Sequence, residues 1–348
     1  MDREKKFREM GATILKDATK MPDYSASRVL GVTHQLLQAQ LIYSAIRLDV
    51  FSHLTSPKTA LEFSNETGYH KRNSELLLNA LASTSFITKE DEHFSNCPDT
   101  ELYLNKSSEL YLGEYLLYWY KVKDLSRVEE LVCFGPMHRS FHDPLGSDSY
   151  DFQKMGEVSK IHMYTGRAQT FITAMQEIFE KDAPIRAIDL GGGSGVLAIE
   201  LAKLFPASKS IIFDQPKVIP IANDGIKENH LEQQVETRAG NFIKDDFGSH
   251  YDLVIASGIL DFCGDLDQML GKIYNAMNAG GYLYVDTHRI NDSFTAPSQS
   301  IIGFLATHMD GLNILKTNNQ ILTAIEKAGF IKHVCNQEDA SYYLFGKE

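Results

Sequence analysis

The sequence predicts an α/β protein: a doubly wound, largely parallel sheet preceded by a mostly helical N-terminal domain. Three observations predict it. Beyond about residue 150, a helical segment leads into strand-like and helix-like stretches that alternate to the end of the 348-residue chain. Within that series, Ala187-Ile188-Asp189-Leu190-Gly191-Gly192-Gly193-Ser194-Gly195 reads as a strand ending in a glycine-rich turn that opens a helix. Before residue 150 the pattern is mainly helical, with one short hairpin.

In the N-terminal part, Gln35–Phe51 carries apolar residues at helical spacing. Thr59-Ala60-Leu61-Glu62 is a capping box that starts a second helix, and Gly68 stops it. A third helix runs from about Lys71 to Ala82. Phe86–Thr88, a charged turn from Lys89 to Glu92, and His93–Ser95 then form a hairpin. Helix, helix, hairpin is a winged-helix arrangement. DNA binding is disfavoured, because the helix Lys71–Ala82 has only Lys71 and Arg72 at its start and the hairpin tip carries Glu90, Asp91 and Glu92. A structural or dimerising module is the expectation. Residues 111–141 are dense in aromatics, Tyr111, Trp119, Phe134 and Phe141 among them, and these suit a core, a subunit interface or the wall of an apolar pocket. In the second part, helical residues 149–180 precede strands ending at Leu190, at 210–213, near Val235, at Asp252–Ser257, at Gly281–Thr287 and around 331–335 and 341–346. Helices are expected to about Leu204, around 217–229, at 266–278 and at 318–328. The expected domains are 1–145 and 146–348.

Composition narrows the function. Hydrophobic residues at 43% support a sizeable core, and a formal net charge of −12 argues against nucleic acid as the main partner. Cys97, Cys133, Cys263 and Cys335 are widely spaced, as free thiols in a reducing compartment would be. The opening MDREKKFREM lacks an apolar signal core and no run of eighteen apolar residues exists, so a cytoplasmic protein off the membrane is expected.

The glycine turn and the acid that follows it describe a nucleoside pocket. Ile211-Ile212-Phe213-Asp214 is a second strand ending in a carboxylate able to accept hydrogen bonds from both hydroxyls of a ribose. Gly193-x-Gly195-x-x-Ala198 also satisfies the relaxed dinucleotide fingerprint, so NAD competes. Two features favour S-adenosylmethionine (SAM). The fingerprint lies past the middle of the chain, and Asp189 stands inside the strand end, where a carboxylate suits an ammonium group better than a pyrophosphate.

Motifs across about residues 30–348 resemble the SAM-dependent small-molecule O-methyltransferases, the family of plant caffeate and flavonoid, bacterial antibiotic and animal N-acetylserotonin enzymes. The matching stretches are IDLGGGSG, FDQPKVI, Arg238-Ala239-Gly240-Asn241-Phe242, Tyr251-Asp252-Leu253-Val254, Ala279-Gly280-Gly281, and the N-terminal LDVF and KTALEFSNETG. The resemblance implies a class I methyltransferase sheet of Rossmann-like type, an N-terminal winged-helix dimerisation domain, SAM as cofactor, a homodimer and a small apolar or aromatic acceptor. It places Gly191, Gly193 and Gly195 along the methionyl part of SAM and Asp214 on the ribose. Asn241 and Phe242 fall against adenine, Ser159 falls near the SAM carboxylate, and Ser257 at a strand end joins the cofactor set. Met155, with His162 and His308, is assigned to the acceptor.

The chain departs from the family where the base should be. The family has an apolar-Leu-His-Asp-Trp sequence after its fourth strand; here Ser257-Gly258-Ile259-Leu260-Asp261-Phe262-Cys263 puts Asp261 at the histidine position. An ordinary Asp, near pKa 3.9, matches a phenol poorly. Asp286 lies where the family has the glutamate that orients its histidine, so Asp261 and Asp286 form the expected catalytic pair, one carboxyl raised by repulsion from the other. Alternatively the acceptor needs no base, as with a thiolate, an amine or an electron-rich carbon. His162, His288 and His308 are further candidate bases. Two other classes stay open: a family member that uses SAM without transferring methyl, and a SAM-sensing winged-helix regulator.

Overall fold

A computed structural model describes residues 24–136, 151–311, 315–333 and 341–348. The first 23 residues, the expected boundary at 145/146, Phe141, Cys335 and the end of the expected strand 331–335 lie outside them. The chain forms two compact units, Met1–Glu101 and Leu102–Glu348.

In the first unit, the helix expected at Gln35–Phe51 spans Ser27–Arg47 instead. It ends there because Asp49 adopts a left-handed φ of 57° and the chain tightens into a 3₁₀ turn at Phe51–His53. The Thr59 hydroxyl accepts from the Glu62 N–H while the Glu62 carboxylate accepts from the Thr59 N–H. This box starts the helix Ala60–Thr67, and Gly68 at φ 73° ends it. The next helix is Lys71–Ala82. Strands β1 (Lys58–Thr59), β2 (Ile87–Glu90) and β3 (His93–Asn96) form an antiparallel sheet in the order β1-β3-β2. The hairpin turn is shorter than expected: Lys89 pairs with Phe94 and Glu90 with His93. Asp91 at φ 52° lets two residues suffice. Phe51, Leu54, Phe63, Leu78, Leu81 and Phe94 make the core of this unit. By contrast Val29, Leu30, Val32, Leu36 and Leu37 on the first helix are each at least 58% exposed.

The second unit holds a seven-stranded mixed sheet. Its strands are β4 (Arg186–Leu190), β5 (Lys209–Asp214), β6 (Val235–Ala239), β7 (Tyr251–Ser257), β8 (Met277–Asp286), β9 (Ile331–His333) and β10 (Tyr343–Gly346). Their order is β6-β5-β4-β7-β8-β10-β9, with β10 antiparallel to both neighbours and the rest parallel. Ile211–Phe213 and Leu253–Ala256 are buried without alternation, as strands covered on both faces must be. The chain leaves β4 for β5 on one side and returns to β7 on the other. That reversal opens a crevice at the carboxyl end of β4. Helices Val196–Leu204, Ile219–Glu228, Leu266–Ala276 and Asn318–Lys327 stand where expected. The expected helical stretch 149–180 is two helices, Phe152–Met163 and Arg167–Ile178, separated at Gly166 with φ 141°. A further helix, Ser298–Met309, was not foreseen. Among the described residues no helix is long and apolar enough to cross a membrane.

Candidate active site

The turn after β4 forms one end of a cavity of about 650 Å³ that lies wholly in the second unit. Gly193 takes φ 58°, and a Cβ there would meet no protein atom, only the open cavity. At Gly191, φ 66°, a Cβ would lie 2.7 Å from Ile259 Cγ2. Both positions require glycine, one for ligand space and one for packing. The Asp214 carboxylate at the end of β5 accepts from the Gly193 N–H at 2.8 Å and from the Gln215 N–H at 2.6 Å. These bonds tie the acid to the turn and oppose burial, which raises its pKa. Each carboxylate oxygen keeps a second lone pair for a ligand.

Asp189, inside the end of β4, is 2% exposed yet borders the cavity, and its Oδ2 has no hydrogen-bond partner. Burial, then repulsion from Asp214, pushes its pKa up to about 8, against a pull down from the Ala198 N–H. A buried carboxyl with an unused oxygen, on a residue that borders a cavity, is a place for a ligand cation. With the open turn and the strand-end acid, it fits a ligand carrying both an ammonium group and a ribose.

The other end of the cavity is aromatic. Trp119, Phe152, Phe262 and Phe304 border it, together with Met155. Tyr115 stacks on His162 with ring centres 4.4 Å apart. Burial lowers the pKa of His162, helped by Arg167 and Lys123. Lys123 lies over the Trp119 face at 4.5 Å and the Phe304 face at 5.3 Å, and burial lowers its pKa too.

Of the two carboxylates expected at the chemistry, one reaches the cavity. Asp286, at the end of β8, borders the cavity and pairs with Arg167 Nε at 2.8 Å. Burial raises its pKa most, Arg167 and His288 lower it, and Asp261 raises it by a lesser amount. Asp261 is fully buried and does not border the cavity. Its Oδ2 lies 3.2 Å from His288 Nδ1, off the hydrogen-bond direction, and its Oδ1 accepts from the His288 N–H at 3.5 Å. Asp261 does raise the pKa of Asp286, as expected of the pair, but burial does so more, and each acid also has its own basic partner.

Of the residues singled out from sequence, Gly191, Gly193, Asp214, Phe242, Ser257, Ser159, Met155, His162 and Asp286 meet at this cavity. Gly195, Asn241, Asp261 and His308 do not border it. Gly195 backs onto Ile212, and the Asn241 side chain accepts from the Ile243 N–H at 2.9 Å, holding its own turn. His308 faces Phe294 at 6.4 Å, and burial lowers its pKa. Trp119, one of the aromatics expected in a core, an interface or a pocket wall, borders the cavity. Arg167, Lys123 and Phe304 border it as well, and no local pattern in the sequence marks them as site residues.

A family model described as O-methyltransferase domain matches residues 127–321. The tetracenomycin polyketide synthesis 8-O-methyl transferase TcmO of Streptomyces glaucescens is 23% identical over 306 residues, 84% of this chain and 85% of that protein. Among solved structures, human N-acetylserotonin methyltransferase in complex with SAM matches with a TM-score of 0.72 at 21% identity, over 94% of this chain and 99% of that one. A Nostoc punctiforme protein solved as a candidate O-methyltransferase gives 0.77 at 18% identity, over 94% and 99%. At these identities the structural likeness shows the fold, that of the class I methyltransferases.

Proposed function

This chain belongs to the O-methyltransferase domain family, and we propose that it methylates a small, largely apolar aromatic metabolite. The family gives the reaction class and the cofactor, SAM. The observation that carries the acceptor class is the division of one cavity into a polar end and an aromatic end. TcmO is named for a polyketide and the human relative for N-acetylserotonin. Small metabolites of that kind suit the chamber between Trp119, Phe152, Phe262 and Phe304.

In this reading Asp214 takes the ribose hydroxyls and the Gly191–Gly193 turn lies along the methionyl chain. Asp189 takes the ammonium, Ser159 and Ser257 line the carboxylate end, and Phe242 packs on adenine. Gly195 and Asn241 contribute by shaping the turns on either side. Met155 and His162 contact the acceptor, while His308 lies on the helix that carries Phe304. When bound, SAM supplies an electrophilic methyl on a sulfonium. The protein's own part is to hold the acceptor in line with that methyl and to exclude water by its aromatic walls.

The first unit reads as a winged-helix module within a dimerisation domain reaching to about residue 145. The exposed apolar side chains of Ser27–Arg47 support pairing with a second copy of the chain. The free thiols Cys97, Cys133 and Cys263 suit a reducing cytoplasm. The deciding experiment incubates the protein with methyl-labelled SAM and a panel of hydroxylated naphthoates and polyketide phenols. Label in the organic extract is expected. Tight binding of S-adenosylhomocysteine with no label transferred to any phenol, thiol or amine would instead favour a role for SAM without methyl transfer.

A further inference from the structure

We propose that the base has exchanged places in this chain: His288 takes the acceptor's proton, and Asp261 is the positioning residue behind it. The inference rests on the methyl-transfer reading above. Asp261 fills the position of the family's histidine, but it is fully buried and does not reach the cavity. A carboxylate that cannot touch the acceptor cannot deprotonate it. What it touches is His288, two residues past the end of β8, with Oδ2 3.2 Å from Nδ1. His288 does border the cavity. Its Nδ1 is shielded from solvent while a quarter of its side chain stays exposed, so the open edge is the one bearing Nε2. The ring is wedged edge-on between Phe262 at 5.7 Å and Phe304 at 4.9 Å, both walls of the acceptor chamber. The Nδ1 contact is off-line here, as catalytic contacts often are before the substrate complex forms.

The alternatives are occupied. Asp286 is engaged by Arg167 at 2.8 Å. His162 is stacked on Tyr115, and burial, Arg167 and Lys123 disfavour its cation. His288, Asp261, Arg167 and Arg289 all act electrostatically on Asp286, and Lys123 lies over the Phe304 ring against which His288 packs. Arg167 holds Asp286, so Asp261 is the carboxylate placed to orient the His288 ring. In the transfer, the acceptor oxygen bonds to the methyl carbon as the carbon–sulfur bond breaks with its pair on sulfur, and the hydroxyl proton moves to His288 Nε2. Asp261 stabilises the resulting imidazolium, which returns its proton to water after product release.

The test has two arms. Nitrogen-15 NMR of the protein saturated with S-adenosylhomocysteine should show His288 as the Nδ1–H tautomer, and Asp261→Asn should populate the Nε2–H form. With a phenol that the labelled panel identifies, His288→Gln should slow single-turnover methyl transfer by about 10²–10⁴ while S-adenosylhomocysteine affinity stays within about twofold. Asp261→Asn should slow single-turnover transfer at least about tenfold with S-adenosylhomocysteine affinity unchanged, and the accompanying change of His288 tautomer is a readout that a merely structural role would not move. An Nε2–H tautomer in the parent protein, or a His288→Gln variant that keeps more than about a tenth of the rate, overturns the proposal. If no phenol is methylated although S-adenosylhomocysteine binds, the functional reading fails, and the tautomer still decides the dyad.

Discussion

Asp189 is the residue whose environment makes the sharpest pH prediction. Its pKa is pushed up to about 8, so in the empty protein it is mostly protonated at pH 6. An ammonium group selects the ionised form. SAM affinity should therefore rise between pH 5.5 and 7, by up to about tenfold per unit, and Asp189→Asn should flatten the rise; calorimetry at three pH values checks this. The stability linkage has the opposite sign. The folded pKa lies above the ordinary value of 3.8, so the folded state holds its proton longer than the unfolded one. Stability is full below that ordinary value and declines as pH climbs toward 8. Asp189→Asn should accordingly raise the Tm of the empty protein at pH 8 by at least about 3 °C, read by differential scanning. Asp189 and Asp214 could be read from sequence because one lies inside a strand end just before a glycine turn and the other ends the next strand, where local pattern fixes position. The Asp261–His288 contact could not, since it spans 27 positions and depends on how the loops after β7 and β8 pack.

The glycine turn and the aromatic helices should separate under mutation. Gly193→Val forces a β-branched residue into φ 58° and fills the cavity mouth. It should cost about 1–3 kcal/mol in urea unfolding and abolish SAM binding, with Gly193→Ala milder on both counts. Trp119→Ala opens the chamber on the helix Gly113–Val122 and should raise the acceptor KM at least about tenfold, leaving SAM affinity unchanged. The alternating strands and helices were readable because buried parallel strands are short apolar runs with glycine or acid at their ends. The helix Ser298–Met309 escaped because Ile301, Ile302, Gly303, Phe304 and Leu305 run together without a helical period. Two of the residues that escaped notice, Phe304 and Arg167, owe their place to tertiary packing that no local motif encodes.

For the molecule entire, the exposed apolar side chains of the first helix matter most. A surface with Val29, Leu30, Leu36 and Leu37 more than half exposed is costly in water and suits an obligate interface of over about 2,000 Å². Light scattering at low micromolar concentration should report twice the 39.1 kDa chain mass. Leu30→Asp with Leu36→Asp should shift the protein toward the monomer, whereas a parent that is already monomeric would refute the homodimer. The crevice at the carboxyl ends of β4 and β5 is where SAM is expected to bind. Isothermal titration with S-adenosylhomocysteine tests it most directly. The parent should bind one molecule per chain in the micromolar range, and Asp214→Ala, which removes hydrogen bonds worth about 1.5–3 kcal/mol each, should weaken binding more than tenfold. Equal affinity in the two proteins would contradict it.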